Sequence, residues 1–227
     1  MASVRYDIVS IGTLSRNRLW HETQAVRTPH ATSTLIRVGR RRILVDPGLP
    51  GPAMAARLFE RTGLRPEQID TVFLTSFRPS HRAGAAIFQQ ASILIHEVEQ
   101  RLVQQYLEQV LAQASAEDAG RKAIEDDLRL LETLQPAPDQ IEETVDLFPL
   151  FGYTPGNSGL LLSLSTTTVL IAGDAVATQE HFLAGQVLPD AYDLEAAKES
   201  LREVYEIADL IVPGHDNVFQ NPRAMGI

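Results

Sequence analysis

At 227 residues with 44% hydrophobic content, the chain is long enough to bury one large core, and we read residues 1–227 as a single domain. Its formal net charge of −9 argues against nucleic acid, because phosphate-backbone affinity rests on Lys and Arg releasing counterions. With no cysteine there is neither a disulfide frame nor a thiolate ligand, so any metal must be held by histidine and carboxylates.

The first apolar run, YDIVSIG, contains Asp7 and follows no basic leader, so it reads as a strand and not a signal peptide. No apolar stretch approaches the ~18 residues needed to cross a bilayer, and a cytoplasmic protein without a membrane partner is expected. A long loop, LWHETQAVRTPHATS, comes next and reads as surface, with Trp20 as an aromatic wall and His30 as a substitute ligand being its functional options. TSTLIRVG and RRILVDPG then form a hairpin whose turn carries the one dense basic run, a solvated GRRR. GPAMAARLFERTG has Pro52 near a helix start and Gly63 where a left-handed cap belongs. The strand DTVFLTS leads into a polar loop ending at His81, and after a connecting helix ASILIHE is another strand, with His96 at its end to cap or pack.

Residues 97–134 turn helical, with Val98, Leu102, Tyr106 and Val110 on one stripe and Ile124, Leu128 and Leu131 on another. Ser115 and Asp118 between them make a weak capping box. The pair reads as a helical hairpin on the domain edge, with a lid or a homodimer surface as the other uses. QPAPDQ ends the helices, and ETVDLFPL, GLLLSLS, TTVLIAGD, a helix from about Asp193 to Ala208 and LIVPG complete a second half, in which His181 is expected to be exposed. Two such halves predict an α/β fold, a four-layer αββα sandwich of two mixed sheets.

Polar residues gather where strands end: Asp46, the loop of residues 76–81, Asp174 and His215, with Asn157 just before a strand. Singly, such an aspartate is a turn-former and such a histidine is structural. In order, from LVDPG to VPGHD, they resemble the metallo-β-lactamase superfamily, whose sandwich matches the layering above. That family's Thr-His-x-His-x-Asp-His loop corresponds here to Thr75, Ser76, Phe77, Arg78, Pro79, Ser80 and His81, so the last histidine alone is kept. Its later loop histidine is Asn157, its bridging aspartate Asp174 and its final histidine His215. The resemblance implies that one metal site has lost its ligands, while the other keeps His81, Asp174 and His215 and has Ser80 in place of a carboxylate.

Two histidines and one carboxylate are a sufficient set for one divalent ion, zinc ahead of iron or manganese. The expectation is a mononuclear metal-dependent hydrolase acting on a small-molecule ester, lactone, thioester or phosphoester. Arg78 and Asn157 would stabilise the oxyanion, and Ser80 would stand where the family's water-orienting aspartate does. Two alternatives stay open. Arg78 would replace the metal and pair with Asp174 in a ligand- or partner-binding module, or the triad would hold iron in a dry apolar pocket for oxygen or sulfur chemistry.

Overall fold

Strand residues alternate between two cores, and that alternation builds the layers. The computed structural model describes residues 4–115 and 120–226. One six-stranded sheet holds β1 (Val4–Ser10), β2 (Ser33–Val38), β3 (Arg41–Val45), β4 (Thr71–Leu74), β5 (Ser92–Ile95) and β6 (Gln135–Pro136), in that order. The other, also six-stranded, runs through β7 (Gln140–Glu142), β8 (Val145–Pro149), β9 (Ser158–Ser163), β10 (Thr168–Gly173), β11 (Leu210–Pro213) and β12 (Phe219–Gln220). In β3, Ile43 and Val45 enter the core between the sheets while Leu44 faces the outer helices. In β10, Val169 and Ile171 face inward and Leu170 and Ala172 outward.

Helices cover both outer faces. Met54 and Leu58 of α1 (Gly51–Thr62), Val103 and Leu107 of α3 (Glu97–Gln113) and Leu131 of α4 (Arg121–Thr133) pack on Leu44 and Leu74. Phe182 of α5 (Gln179–Leu183) and Leu201 and Val204 of α6 (Leu194–Ile207) pack on Leu170 and Ile211. The αββα sandwich is therefore present. As the sequence signals, α1 carries Pro52 in its first turn and closes on Gly63 at φ 72°.

Several details differ from expectation. The connection from β4 to β5 is no full helix but the four residues of α2 (Pro79–Arg82) and a 3₁₀ turn, because Pro79 and Gly84 punctuate it. Residues 135–136 do not merely end the helices; they pair with β5 as an edge strand. The stripe on α3 is rotated: Tyr106 is 63% exposed, and Val103 and Leu107 are the residues that pack. Glu99 at the head of that face is buried, which turns the helix one position. Gly120, not Ser115, precedes α4, without a side-chain cap, and Asp118 lies outside the described residues. Among the described residues, no helix is long and apolar enough to cross a membrane.

Candidate metal centre

Loops from both sheets meet at one edge of the sandwich. Ser158 N donates to Thr75 O at 3.0 Å and Thr32 N to Gly214 O at 2.7 Å, which stitches the end of β4 to the start of β9 and the end of β11 to the strand β2. Asp46, just after β3, is 1% exposed and takes a left-handed backbone, φ 48°. Its Oδ1 accepts from Thr75 N at 2.8 Å, its Oδ2 from Thr75 Oγ1 at 2.6 Å, and Oδ2 also lies 2.9 Å from His81 Nδ1. Gly173, at φ 54°, ends β10 before Asp174, and a Cβ there would stand 2.5 Å from Thr75 Oγ1. Only glycine lets β10 come this close and turn Asp174 into the site.

Both imidazoles are fixed through Nδ1. His215 Nδ1 lies 3.0 Å from the carbonyl oxygen of His30, an acceptor with no hydrogen to give, so this nitrogen is the donor. In a neutral ring that leaves a lone pair on Nε2, which lies 2.9 Å from Asp174 Oδ1. This contact is an ion pair, and Asp174 Oδ1 is buried with no hydrogen-bond partner among the described residues. On the other side, His81 Nε2 is 2.9 Å from Asp174 Oδ2, while its Nδ1 is committed to Asp46. The three ligand atoms lie within 4.8 Å of one another, on three buried residues.

Two ring nitrogens thus face the two oxygens of one carboxylate, and positive charge is what reconciles them. Protons on Nε2 can supply it, and so can one divalent ion. The orphaned Oδ1, the inward Nε2 atoms and the His–carboxylate chemistry of the donors fit one ion held by His81, Asp174 and His215. Asp46, Thr75 and the His30 carbonyl are the supports that fix ring orientation, as outer partners of metal-binding histidines do.

Without an ion the charge sits on His81. Burial opposes it, but Asp174 and Asp46 outweigh burial and raise His81 from 6.5 to about 10. Burial also opposes ionisation of Asp174, yet His81 and His215 hold its carboxyl well below 3.8. A raised folded value means that the His81 contribution to stability is full below pH 6.5 and is lost as pH rises through about 10. A depressed one means that the Asp174 contribution is full above pH 3.8 and is lost as acid approaches the folded value. Metal-free protein is therefore expected to be most stable between pH 3.8 and 6.5 and to weaken toward pH 10. Urea midpoints across that range test this; His81→Gln should flatten the alkaline limb, and an unchanged limb would refute the assignment.

A cavity of about 360 Å³ opens beside the triad, lined among others by Arg78, Ser80, His215, Tyr153 and His181. Arg78 Nε is 3.9 Å from Asp174 Oδ2, beyond hydrogen-bond reach, and its guanidinium lies over the Tyr153 ring at 4.8 Å from the centroid. The contact of Arg78 with Asp174 is thus a long ion pair without a hydrogen bond, looser than the full pairing of the metal-replacing alternative. Ser76 and Asn157 are both fully buried, with Ser76 Oγ and Asn157 Oδ1 unpartnered. Asn157 does not line the cavity, and its Nδ2 donates to Leu150 O at 3.0 Å, so its amide holds a loop and does not reach an oxyanion.

Other histidines also move from their expected places. The ring of His30 contacts Ile11 O at 3.1 Å and is no substitute ligand; its main chain serves the site instead. His181, expected on the surface, is 4% exposed, held by Thr178 Oγ1 at 2.8 Å, and lines the cavity. His96 caps α3 through Nδ1, as expected. Trp20 is 55% exposed under Arg27 and stands outside this cavity. Sequence reasoning left Asp46 as a turn residue and overlooked Glu99, whose Oε1 accepts from Phe77 N at 3.0 Å and Oε2 from Gly156 N at 2.8 Å. The aspartate in a Val-Asp-Pro-Gly turn after a strand was the available signal for the first; the second had none.

The family model described as the metallo-beta-lactamase superfamily matches residues 27–215. The chain belongs to that superfamily. Among solved structures, this superfamily member is similar to a protein of Thermotoga maritima assigned to the metallo-beta-lactamases, at 19% identity and TM-score 0.71, over 96% of this chain and 99% of that one. AidC, a dizinc quorum-quenching lactonase in complex with a product, N-hexanoyl-L-homoserine, is similar at 15% identity and TM-score 0.66, over 94% and 85% of the two chains. AiiA from B. thuringiensis, with N-decanoyl-L-homoserine bound at its active site, is similar at 17% identity and TM-score 0.61, over 91% and 89%. At such identities the likeness is one of fold. No curated protein matched.

Proposed function

We propose that this superfamily member is a hydrolase of small-molecule esters or lactones that works with one divalent ion held by His81, Asp174 and His215. The observation that carries the reading is the inward pair of Nε2 atoms on the two oxygens of Asp174, with no hydrogen bond to Oδ1 among the described residues. Product-bound lactonases among the fold relatives support the bond type. Zinc, ahead of iron or manganese, would supply Lewis acidity, polarising a carbonyl and acidifying water.

The chain's own residues do the rest. Asp46 and the His30 carbonyl hold the rings in register. Arg78, whose guanidinium has no hydrogen bond among the described residues and is 41% exposed, offers its N–H groups to the oxygen that becomes negative. Stacking on Tyr153 limits its rotamers and so pre-sets that donor. Ser80, on the cavity wall, has a neutral hydroxyl that orients but does not take a proton at neutral pH. Slow turnover follows from that missing carboxylate. The cavity is lined by arginines and an aspartate, which does not suit the dry apolar pocket of the iron alternative.

The test is hydrolysis of 4-nitrophenyl acetate and of a simple γ-lactone by protein loaded in turn with Zn²⁺, Mn²⁺ and anaerobic Fe²⁺. Turnover above the free-ion rate is expected, with kcat reduced on the order of 10²-fold in Arg78→Gln. No turnover with any ion would overturn the reading.

A further inference from the structure

Positive charge is concentrated around the cavity of a protein that is acidic overall. Arg16, Arg18 and Arg78 line it, with Asp190 as its acidic wall residue, although the chain has 20 Lys and Arg against 29 Asp and Glu. Burial, with nearby carboxylates including Asp190, pushes the Tyr153 hydroxyl up, so it stays neutral on the cavity wall. Neither Arg16 nor Arg18 pairs with an acidic side chain among the described residues. Arg16 gives one contact, from Nη1 to Thr23 O at 3.2 Å, and the exposed Arg18 gives none from its side chain. Unpaired guanidinium groups in a concave wall raise the local anion concentration well beyond what the net charge suggests.

The segment that carries them is built rather than loose. Asn17, between the two arginines, is 2% exposed and caps the 3₁₀ turn of residues 18–20 through Oδ1 to Leu19 N at 2.9 Å. Its own N donates to Glu22 Oε2 at 2.6 Å, and its Nδ2 reaches Glu180 Oε2 at 3.1 Å, on the helix that places His181 in the cavity. Arg27 bonds Leu14 O at 3.1 Å and pairs with Glu22, and the bridge from Thr13 to His30 closes the loop beside the His215 support. The one acidic side chain of this loop, Glu22, is thus consumed in holding it. The two arginines beside the anchored asparagine are left for something else.

We propose that Arg16 and Arg18 form an oxyanion subsite, so that the substrate carries a carboxylate or phosphate at the end away from the bond that is cleaved. Guanidinium groups bind either group through paired N–H donors, and the two differ in charge and not in the recognition chemistry. The inference rests on the hydrolase reading for what the substrate undergoes, and not for what the two arginines bind.

The test is calorimetric titration of full-length protein, chelated and then dialysed free of chelator so that no ion can itself take the anion, at low ionic strength. Probes are inorganic phosphate, glutarate and the neutral glutaramide. Saturable one-to-one binding of phosphate or glutarate is expected, none of glutaramide, and the tighter anion names the headgroup. The double substitution Arg16→Gln, Arg18→Gln should weaken that binding about tenfold or more, each single one less, while the melting temperature stays within that of surface changes. No saturable anion binding, or binding that the double variant leaves unchanged, would overturn the subsite. The 4-nitrophenyl acetate assay separates the two ideas, since that ester has no anionic end: its turnover by wild type without anion binding sinks the subsite alone, and anion binding without turnover sinks the hydrolase alone.

Discussion

Wild-type protein incubated with Zn²⁺ should retain close to one equivalent by elemental analysis after desalting, and a His81→Ala, His215→Ala double variant should retain none. The reasoning is a count of donors. Of the three buried ligand residues, the variant leaves Asp174 alone, and one carboxylate does not hold a borderline ion against water. Removal of His81 also strips Asp46 and Asp174 of the group between them, and breaking a buried charge pair in this way costs roughly 3–5 kcal/mol. Circular dichroism and the single variant His215→Ala, which leaves the contacts between His81 and both carboxylates in place, therefore accompany the measurement. Because the ion must displace the proton on His81 Nε2, uptake should tighten as pH rises toward about 10 and should release protons. Equal metal in wild type and double variant would put the ion elsewhere; none in wild type with zinc, manganese or iron would remove the centre altogether.

The longer strands were legible because each one carries its own evidence. Val169 and Ile171 face one core and Leu170 and Ala172 another, so four consecutive residues declare both the strand and its burial on two sides. Gly63 and Pro52 marked the ends of α1 by backbone requirements that do not depend on the rest of the chain. The clustering of His81, Asp174 and His215 was legible for a different reason: no spacing within the sequence brings the three together, and the resemblance to a family pattern did. What stayed hidden acts through tertiary contacts of ordinary-looking residues. His30 serves the site by its carbonyl, which every residue has. His181 stands in a polar stretch, and its burial comes from Thr178 and the packing of α5. Asn157 lines up with a ligand position, yet its nearest acceptor, Leu150 O, decides where its amide goes. β6, β7 and β12 are two or three residues long, too short for any periodicity to announce them.

Glu99 is the clearest of these hidden residues, and Glu99→Ala is expected to lower the melting temperature by roughly 5–20 °C. In the sequence it is one of two glutamates in the first turn of α3, where acidic side chains commonly answer the helix dipole. In the structure it is 1% exposed and accepts from Phe77 N and Gly156 N, with a Cβ on Gly156 having no more than 2.2 Å to the Glu99 backbone N. Truncation leaves two buried N–H groups without acceptors, at about 1–3 kcal/mol each. For a chain of this length each kcal/mol moves the melting temperature by about 2–4 °C. Glu99→Gln keeps one oxygen but turns an NH₂ toward the other donor, so its loss should be intermediate. Glu97→Ala is the internal control: this neighbour is exposed, and its dipole contribution of about 0.3–1 kcal/mol predicts a shift of only a few degrees. The effect should also reach the centre, since Phe77 precedes Arg78 in the loop that ends in His81 and Gly156 precedes Asn157 and Ser158, whose N bonds Thr75 O. Metal affinity in Glu99→Ala is accordingly expected to fall about tenfold even where the protein remains folded, as for other lost supports of a ligand. Melting shifts of equal size for Glu97→Ala and Glu99→Ala would show that the glutamate is a surface acid after all, and that the two loops are held together by something else.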